Sequence, residues 1–320
     1  MKRNRPDIVF SAAICVLTCA TFPLAASSSD VADPRAATTP ARDATPQVEI
    51  EDVELFFRIY DAAGGRPTAE QLQRDYLDQG TEGLHHLAKI RNVTGVRIAD
   101  AIAKTPAIYA NARACMTVLP HVRARLRVAL GKLMEMYPGA RNLPVTIAVG
   151  RGKPVGIGGP DSGVQIGLEA VCATHWMNPN IEDRFVYLIA HEYAHVQQAP
   201  EKQTITVLEG SLIEGTAEFV AELIAGRMSY VHFPPLTDGR EKEIESAFVA
   251  DQHKTDISAW MYNSTADKPG DLGYWVGYRI AKAYYQNATD KRAALRELLE
   301  MTDPKAVLAK SGWYPGIELL

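Results

Sequence analysis

Residues 191–195 read His-Glu-Tyr-Ala-His, and after eighteen intervening residues the chain reads Glu-Gly-Thr-Ala-Glu at 214–218. Positions i and i+4 of an α-helix lie on one face, with Cβ atoms about 5–6 Å apart. His191 and His195 can therefore reach a single ion at the usual Zn–N distance of about 2.0–2.1 Å. Glu192 lies about 100° further round the helix, where its carboxylate can contact a water on that ion. The spacing predicts a metal site on a helix.

The flanking residues predict two helices that carry these segments. Asn180 suits an N-cap, and the acidic Glu182 and Asp183 suit the positive end of the first helix dipole. The residues that follow are apolar nearly all round, as in a buried helix. A second helix is predicted from near Val207 to Gly226, a residue suited to the left-handed end of a helix.

Three glutamates follow one face of the second predicted helix at four-residue intervals. Carboxylates in a row on an apolar helix repel one another unless a positive group neutralises them. We expect Glu214 to be the third metal ligand and Glu218 to orient a ligating imidazole, as such outer carboxylates do. Glu222 is expected to be structural or exposed. The alternative is a core helix whose histidines are merely hydrogen-bonded.

The complete pattern, HExxH followed by eighteen residues and a glutamate, resembles the gluzincin metallopeptidases. From about Asn142 to the C-terminus the chain is most similar to bacterial families described only as Zn-dependent proteases of unknown function. Part of this similarity is the Gly-Tyr-x-x-Gly-Tyr-Arg stretch at 273–279. The resemblance implies one Zn²⁺ per chain, held by His191, His195 and Glu214, and peptide hydrolysis in which Glu192 activates a zinc-bound water.

The resemblance also bears on the type of peptidase. The Gly-Ala-Met-Glu-Asn segment that binds a free amino terminus in gluzincin aminopeptidases does not occur before His191, so an endopeptidase is expected.

The resemblance further suggests which group stabilises the oxyanion. Enzymes of this type often place a Tyr or His after the third ligand for this purpose. Tyr278 is favoured over Tyr274, with His253 as a further candidate and ordinary core packing of the tyrosines as the alternative.

Two β-branched stretches, at 143–149 and 163–171, predict a small mixed sheet directly before the first helix. The Gly/Pro-rich stretch 150–163 between them is predicted to be a connector. The fold class is therefore α+β, mainly helical, with a zincin-like catalytic core. By resemblance, an edge strand of this sheet binds extended peptide by strand addition, and it is assigned to Val164, Gln165, Ile166, Gly167 and Leu168. The alternative is a sheet that only supports the core.

The N-terminus predicts export. Residues 1–26 combine a basic start, an apolar core and a small-residue cleavage site, which is typical of a signal peptide. A lipid anchor at Cys19 is disfavoured by the residues before it. Residues 27–47 are predicted to be a disordered linker, 48–140 an N-terminal helical region, and 141–320 the zincin-like metallopeptidase domain. A periplasmic or secreted protein is expected.

Charge and cysteine content limit the partners. Loss of residues 1–26 removes three basic residues and one acidic residue, so the formal charge falls from −4 to −6. No nucleic-acid surface and no stable membrane insertion are expected; the expected partner is a peptide or protein substrate. Cys115 and Cys172 remain, and they either form one disulfide or stay as two buried thiols.

Two other functions fit the same residues. The first is a non-catalytic exported zinc-binding protein, such as a chaperone or partner-binding module, although a pure binding site has no need of Glu192. The second is an enzyme that processes one envelope protein or peptide.

Overall fold

The computed structural model of the chain describes residues 45–319 except 154, 200–203 and 266. The predicted signal peptide and residues 27–44 of the predicted linker lie outside the described residues. The strands are β1 Val48–Glu49, β2 Val145–Ala148, β3 Gly156–Gly159 and β4 Gly163–Gly167. The helices are α1 Glu51–Ala62, α2 Ala69–Gln71, α3 Glu82–Arg91, α4 Gly95–Lys104, α5 Pro106–Cys115, α6 Leu119–Met136, α7 Leu168–Ala173, α8 Ile181–Gln197, α9 Val207–Ala225, α10 Pro234–Thr237, α11 Glu241–Asp251, α12 Leu272–Asn287, α13 Lys291–Glu300 and α14 Pro304–Ser311.

The architecture is α+β and mainly helical, which confirms the predicted fold class. A π-helical turn at Leu72–Tyr76 and 3₁₀ turns at Leu77–Gln79 and Met116–Val118 complete the helical segments. Within the described part of the chain, none of the helices combines the length and apolar character that a membrane crossing requires.

The sheet is small and mixed, as predicted, with the strand order β1-β2-β4-β3. β1, β2 and β4 run parallel, and β3 pairs antiparallel with β4, with Gly156 opposite Ile166 and Gly158 opposite Val164. β3 therefore forms one edge of the sheet. Its other neighbour is α8, the helix that carries the HEYAH segment.

Two details of the sheet differ from the sequence prediction. The stretch 150–163 was expected to be a connector, but it contains β3; the sequence Gly-Ile-Gly-Gly has low β-propensity and hides the strand. The stretch 163–171 was expected to be one strand, but the strand ends at Gly167 and the chain continues directly into α7.

Two hydrophobic clusters meet at α9. One cluster packs the helices before residue 137, the sheet and α8, and α9 contributes Val220 and Ala221 to it. The other packs α11 to α14, and α9 contributes Leu212 and Phe219. Apolar packing on opposite sides leaves α9 buried along most of its length. The predicted boundary near residue 140 stays a prediction, since the first cluster contains residues from both sides of it.

α9 and α12 cross at a pair of glycines. A Cβ added to Gly215 would lie 2.1 Å from the carbonyl carbon of Gly277, and a Cβ on Gly277 would lie 1.7 Å from the carbonyl oxygen of Ser211. Only glycine permits this backbone approach. The Gly-Tyr-x-x-Gly-Tyr-Arg stretch therefore supplies a helix-crossing point directly beside Glu214.

We expect Gly277→Ala to destabilise the fold by about 1–3 kcal/mol, because the added methyl group forces the two backbones apart. Gly131→Ala is the matched control: Gly131 also lies within a helix, but its nearest non-local atom from an added Cβ is 3.8 Å away. That change should be neutral or stabilising by about 0.5–1 kcal/mol. Urea unfolding of both variants measures the difference, and equal stabilities would contradict the close crossing.

Cys115 of α5 and Cys172 of α7 form a disulfide, which decides between the two alternatives left by the sequence. Their Cα atoms are 6.3 Å apart, within the usual range for such a bridge. A disulfide of this kind typically stabilises a domain by about 2–4 kcal/mol. It ties an N-terminal helix to the segment that leads from the sheet into α8.

Candidate metal centre

α8 and α9 bring three donor atoms into a small triangle. Nε2 of His191 lies 3.1 Å from Nε2 of His195, and Oε2 of Glu214 lies 3.3 Å and 3.2 Å from these two nitrogens. The N-cap of α8 is Asn180, whose side chain accepts the backbone N–H of Asp183 at 3.0 Å, as predicted. Together the helices place all three predicted ligands at one point.

The dimensions and the chemistry of this triangle fit a zinc ion. A tetrahedral ion at about 2.0–2.1 Å from each ligand separates neighbouring donors by roughly 3.3 Å, which is close to the three distances found. Two imidazoles and one carboxylate are also a donor set typical of catalytic zinc, with the fourth position left for water or substrate.

His191 is oriented by the predicted carboxylate. Nδ1 of His191 lies 2.9 Å from Oε1 of Glu218, whose side chain is fully buried. This pair is a close ionic contact. Glu218 is held in turn by Ser229, whose backbone N–H donates to Oε2 at 2.6 Å and whose hydroxyl donates to Oε1. Glu218 therefore lies behind the His191 imidazole, where the sequence prediction placed it, and its role in orienting a metal ligand stays a prediction.

His195 has an outer partner that the sequence did not predict. Its Nδ1 lies 2.7 Å from Oε1 of Gln198, and the Gln198 amide donates from Nε2 to the carbonyl of Ile213 at 2.9 Å. The carbonyl fixes which way the amide faces, so the amide oxygen accepts the Nδ1 proton and Nε2 is left free for a metal. Gln198 lies three residues after His195 at the end of α8. This helical spacing was the one feature of the sequence that could have identified Gln198 as a partner of His195.

Glu214 is oriented by Tyr262, a second unpredicted partner. The Tyr262 hydroxyl donates to Oε1 at 2.8 Å, so that Oε2 is the oxygen that faces the imidazoles. The tyrosine lies on the loop between α11 and α12 with φ of +57°, a backbone conformation that is costly for a bulky residue. Asn263 and Asp271 hold the loop through two reciprocal backbone-to-side-chain hydrogen bonds of 2.7 Å each.

We expect Gln198→Leu to lower zinc affinity by about 10–100-fold, since outer partners of ligating histidines contribute this much. The side chain keeps its size but no longer accepts the His195 proton. Gln198→Glu retains an acceptor oxygen and should lose less affinity. Competition with a chromophoric chelator measures both variants; equal affinity in wild type and Gln198→Leu would show that Gln198 does not position the ligand.

Glu192 projects into the cavity beside the triangle, under β3. A Cβ on Gly156 would lie 2.9 Å from Oε1 of Glu192, and a Cβ on Gly158 would lie 1.8 Å from the Glu192 backbone oxygen. At Gly158 the edge strand approaches the α8 backbone so closely that only glycine fits, and at Gly156 it packs against the Glu192 side chain. Glu169, itself fully buried, accepts hydrogen bonds from Gly150 and Gly152 at 3.0 and 2.8 Å and fixes the turn that leads to β3.

Burial and charge shift the titration of these groups. Burial raises the pKa of Glu192 above its ordinary value, and the two histidines and the nearby Gly158 backbone offset only part of this. Burial also favours the neutral form of Glu214, but the two imidazoles outweigh it and hold the pKa of Glu214 well below its usual range. The pKa of His191 is raised because Glu218 and Glu214 outweigh the effect of burial.

A cavity of about 310 Å³ opens onto the metal triangle and Glu192. Three tyrosines line it, namely Tyr230, Tyr262 and Tyr274. Tyr274 is 5% exposed, and its ring stacks on that of His191 with centroids 6.2 Å apart. Neither Tyr230 nor Tyr262 was predicted; nothing in the spacing of these loop residues pointed to the site.

The preference for Tyr278 over Tyr274 was wrong. The Tyr278 hydroxyl donates to Glu222 at 2.9 Å and accepts from Lys282 at 3.2 Å, outside the cavity lining. Glu222 lies two turns beyond Glu214 on α9. Tyr278 therefore contacts Glu222 and not the candidate ligand Glu214. His253 is exposed and is also not among the residues that line the cavity.

The assignment of Val164 to Leu168 as the peptide-binding edge strand was also wrong. β4 is fully buried and pairs with β2 on one side and β3 on the other, so it has no open edge for a peptide. Leu168 begins α7. The open edge beside Glu192 belongs to β3, and it lies in the stretch that was expected to be a connector.

Residues 169–305 match the model of a family described as predicted Zn-dependent protease (DUF2268). This segment is less than half of the chain, but it contains the three donors of the triangle, Glu192 and the outer partners Gln198, Glu218 and Tyr262. β3 lies outside it. Searches of curated proteins and of solved structures gave no significant match to the chain.

Proposed function

We propose that the protein is a zinc-dependent peptidase that cleaves peptide bonds within a chain, with one zinc ion held by His191, His195 and Glu214. The observation that carries the proposal is the triangle of donors, with Glu192 beside it in the same cavity. A site that only stores or transports zinc has no use for a carboxylate that faces the open side of the ion. The family match supports the same class of activity.

Glu192 acts as the general base in this proposal. Zinc, when bound, supplies a Lewis acid that polarises the scissile carbonyl and lowers the pKa of water. The Glu192 carboxylate takes the proton from the attacking water and returns it to the leaving amine. Its position in the same cavity as the three donors suits this double role, because the group must both accept and release the same proton.

β3 binds the substrate backbone. Gly167 donates its backbone N–H to the carbonyl of Val155 at 3.1 Å, so Val155 and Ile157 direct their polar backbone groups towards β4. The alternate residues, Gly156 and Gly158, direct theirs to the open edge. An extended peptide added to this edge passes over Glu192. Main-chain pairing explains how a strand made largely of glycines can bind a peptide.

Tyr262 redirects its single hydroxyl proton, which the structure shows donated to Glu214 at 2.8 Å, to the carbonyl oxygen of the substrate as negative charge develops there. It is 60% exposed towards solvent, its hydroxyl lies at the metal ligand Glu214, and its strained backbone is held by the Asn263–Asp271 pair. Strain that persists beside a catalytic site is often part of its function. Tyr274, stacked on His191, supports the imidazole instead.

We expect Tyr262→Phe to lower kcat by about a hundredfold or more, because one preorganised donor is removed. Tyr278→Phe is the matched control and should leave turnover unchanged, since its hydroxyl meets Glu222. Peptide turnover at saturating zinc, with zinc content measured on the same samples, tests the pair. Equal rates for wild type and Tyr262→Phe would show that the donor is another group.

Export is a further part of the proposal. It is supported by the basic and apolar segments of residues 1–26 and by the Cys115–Cys172 disulfide, which is typical of oxidising compartments.

The experiment that tests the function is digestion of a mixed peptide library by zinc-loaded protein, with products identified by mass spectrometry. The proposal expects cleavage at internal bonds that stops on chelation and returns with added zinc. Zinc-loaded protein that cleaves no peptide in the library would favour the non-catalytic zinc-binding alternative.

A further inference from the structure

We propose that Arg91 selects substrates that carry a carboxylate on the C-terminal side of the scissile bond. This inference rests on the proposed peptidase function and names its substrate class. Arg91 is the last residue of α3, it is exposed, and its side chain lines the same cavity as Glu192 and the metal triangle. It comes from the N-terminal helical region, outside the segment that matches the protease family.

Arg91 is the one arginine or lysine among the described residues that line this cavity. The other lining groups are apolar side chains, glycines, tyrosines, Gln198 and the metal-site residues. The lining carboxylates are Glu192 and Glu214, whose two negative charges balance a divalent zinc ion. The charge of Arg91 is therefore left for an acidic group of the substrate.

The position of Arg91 is fixed by a second arginine. Nε and Nη2 of Arg151 donate to the Arg91 carbonyl at 3.3 and 3.1 Å, and Asn92 ends α3 in the left-handed conformation. Within the part of the chain that the structure describes, neither guanidinium forms an ion pair with a carboxylate. The Arg151 guanidinium thus holds the backbone of Arg91, and the Arg91 side chain lines the cavity without a carboxylate partner among the described residues.

The topology of the sheet shows whether Arg91 lies at the N-terminal or the C-terminal end of a bound peptide. Arg151 lies in the turn that leads into β3, at the end of the sheet where Ala148 of β2 is opposite Gly167 of β4 and where β3 begins at Gly156. A peptide added antiparallel to β3, the commoner mode of pairing, passes Gly158 first and Gly156 later. Its C-terminal portion therefore reaches Arg91, after the bond at Glu192.

A guanidinium binds carboxylates through charge-assisted hydrogen bonds, often two at once. The carboxylate can be the side chain of Asp or Glu or the free C-terminus of a short peptide. Because Arg91 is exposed, we expect the interaction to change affinity by about three- to tenfold and to weaken with added salt.

The test measures peptide binding in the Glu192→Gln background, so that binding is read without turnover. Four labelled peptides of one sequence differ only by Glu or Gln after the cleaved bond and by a free or amidated C-terminus. Fluorescence anisotropy gives Kd for each, with and without Arg91→Ala. We expect Arg91→Ala to raise Kd for the carboxylate-bearing peptides by about three- to tenfold and to leave the neutral, amidated peptide unchanged.

The two carboxylate sources are separated by the two peptides that carry only one of them. Arg97→Ala is the control, since Arg97 is exposed on α4 and is not among the residues that line the cavity. If Arg91 only stabilises the end of α3, as cations near helix C-termini do, Arg91→Ala will lower thermal stability with no change in charge preference, and the inference fails.

The failure of this inference is distinct from failure of the proposed function. Cleavage by the wild type without any preference for acidic over neutral peptides would overturn the role of Arg91 and leave the peptidase intact. Charge-selective binding that depends on Arg91, with no cleavage by the zinc-loaded wild type, would overturn the peptidase and leave an acidic-peptide site.

Discussion

Glu192→Gln should abolish most turnover and leave the metal in place. We expect kcat to fall by about a hundred- to ten-thousandfold, the usual contribution of a general base, while zinc content and zinc affinity stay at wild-type levels. The amide has the size of the carboxylate and can still accept the N–H of a neighbour, but it cannot take a proton from water. Zinc and fold are retained because none of the three ligands changes.

The matched control is Glu182→Gln, on the same helix. Glu182 lies in the first turn of α8, where it pairs with Arg125 at 2.9 Å, well away from the cavity. Its replacement should leave turnover unchanged. Near-wild-type peptidase activity in Glu192→Gln would mean that another group activates the water, and the proposed mechanism would be wrong.

Glu214→Ala should remove the metal itself. The ligand set loses its only carboxylate, and two imidazoles alone hold zinc weakly, so we expect affinity to fall by more than the roughly 10–100-fold that an outer partner contributes. Turnover should fall with it and should recover only in part at high zinc. Chelator competition gives the affinity, and elemental analysis gives the metal content.

The control for this change is Glu222→Ala, a glutamate two turns further along α9. Glu222 pairs with Lys282 and Tyr278 and not with the triangle, so its loss should leave zinc affinity unchanged. If Glu214→Ala bound zinc as tightly as wild type, the third ligand would be a different residue, and the geometry of α8 and α9 would not be the basis of the site.

The grouping of the candidate ligands and the candidate base was predictable from the sequence because most of it follows from helical spacing. His191, Glu192 and His195 lie on one continuous helix, and Glu214 and Glu218 lie four residues apart on the next. In each case a local rule places side chains on a common face. The tertiary structure had only to bring α8 and α9 together, while the glycines at 215 and 277 permit the separate close crossing of α9 with α12.

The substrate side of the site was not predictable because loop and edge-strand geometry determine it. β3 was missed because glycine has a low β-propensity. The structure nevertheless places glycines there because Gly156 and Gly158 lie against Glu192. Tyr262 and Arg91 come from distant parts of the chain, and no periodic pattern connects them to His191. Tyr278 was favoured over Tyr274 because sequence spacing does not show which turn of α12 faces the ligands.

The most direct test of the central claim is the zinc content of purified protein, residues 27–320, determined by elemental mass spectrometry. The account predicts about one zinc per chain, retained through dialysis and removed by a strong chelator. Protein that contains no zinc and takes up none when zinc is added would contradict it, and His191, His195 and Glu214 would then be a hydrogen-bonded cluster in the core.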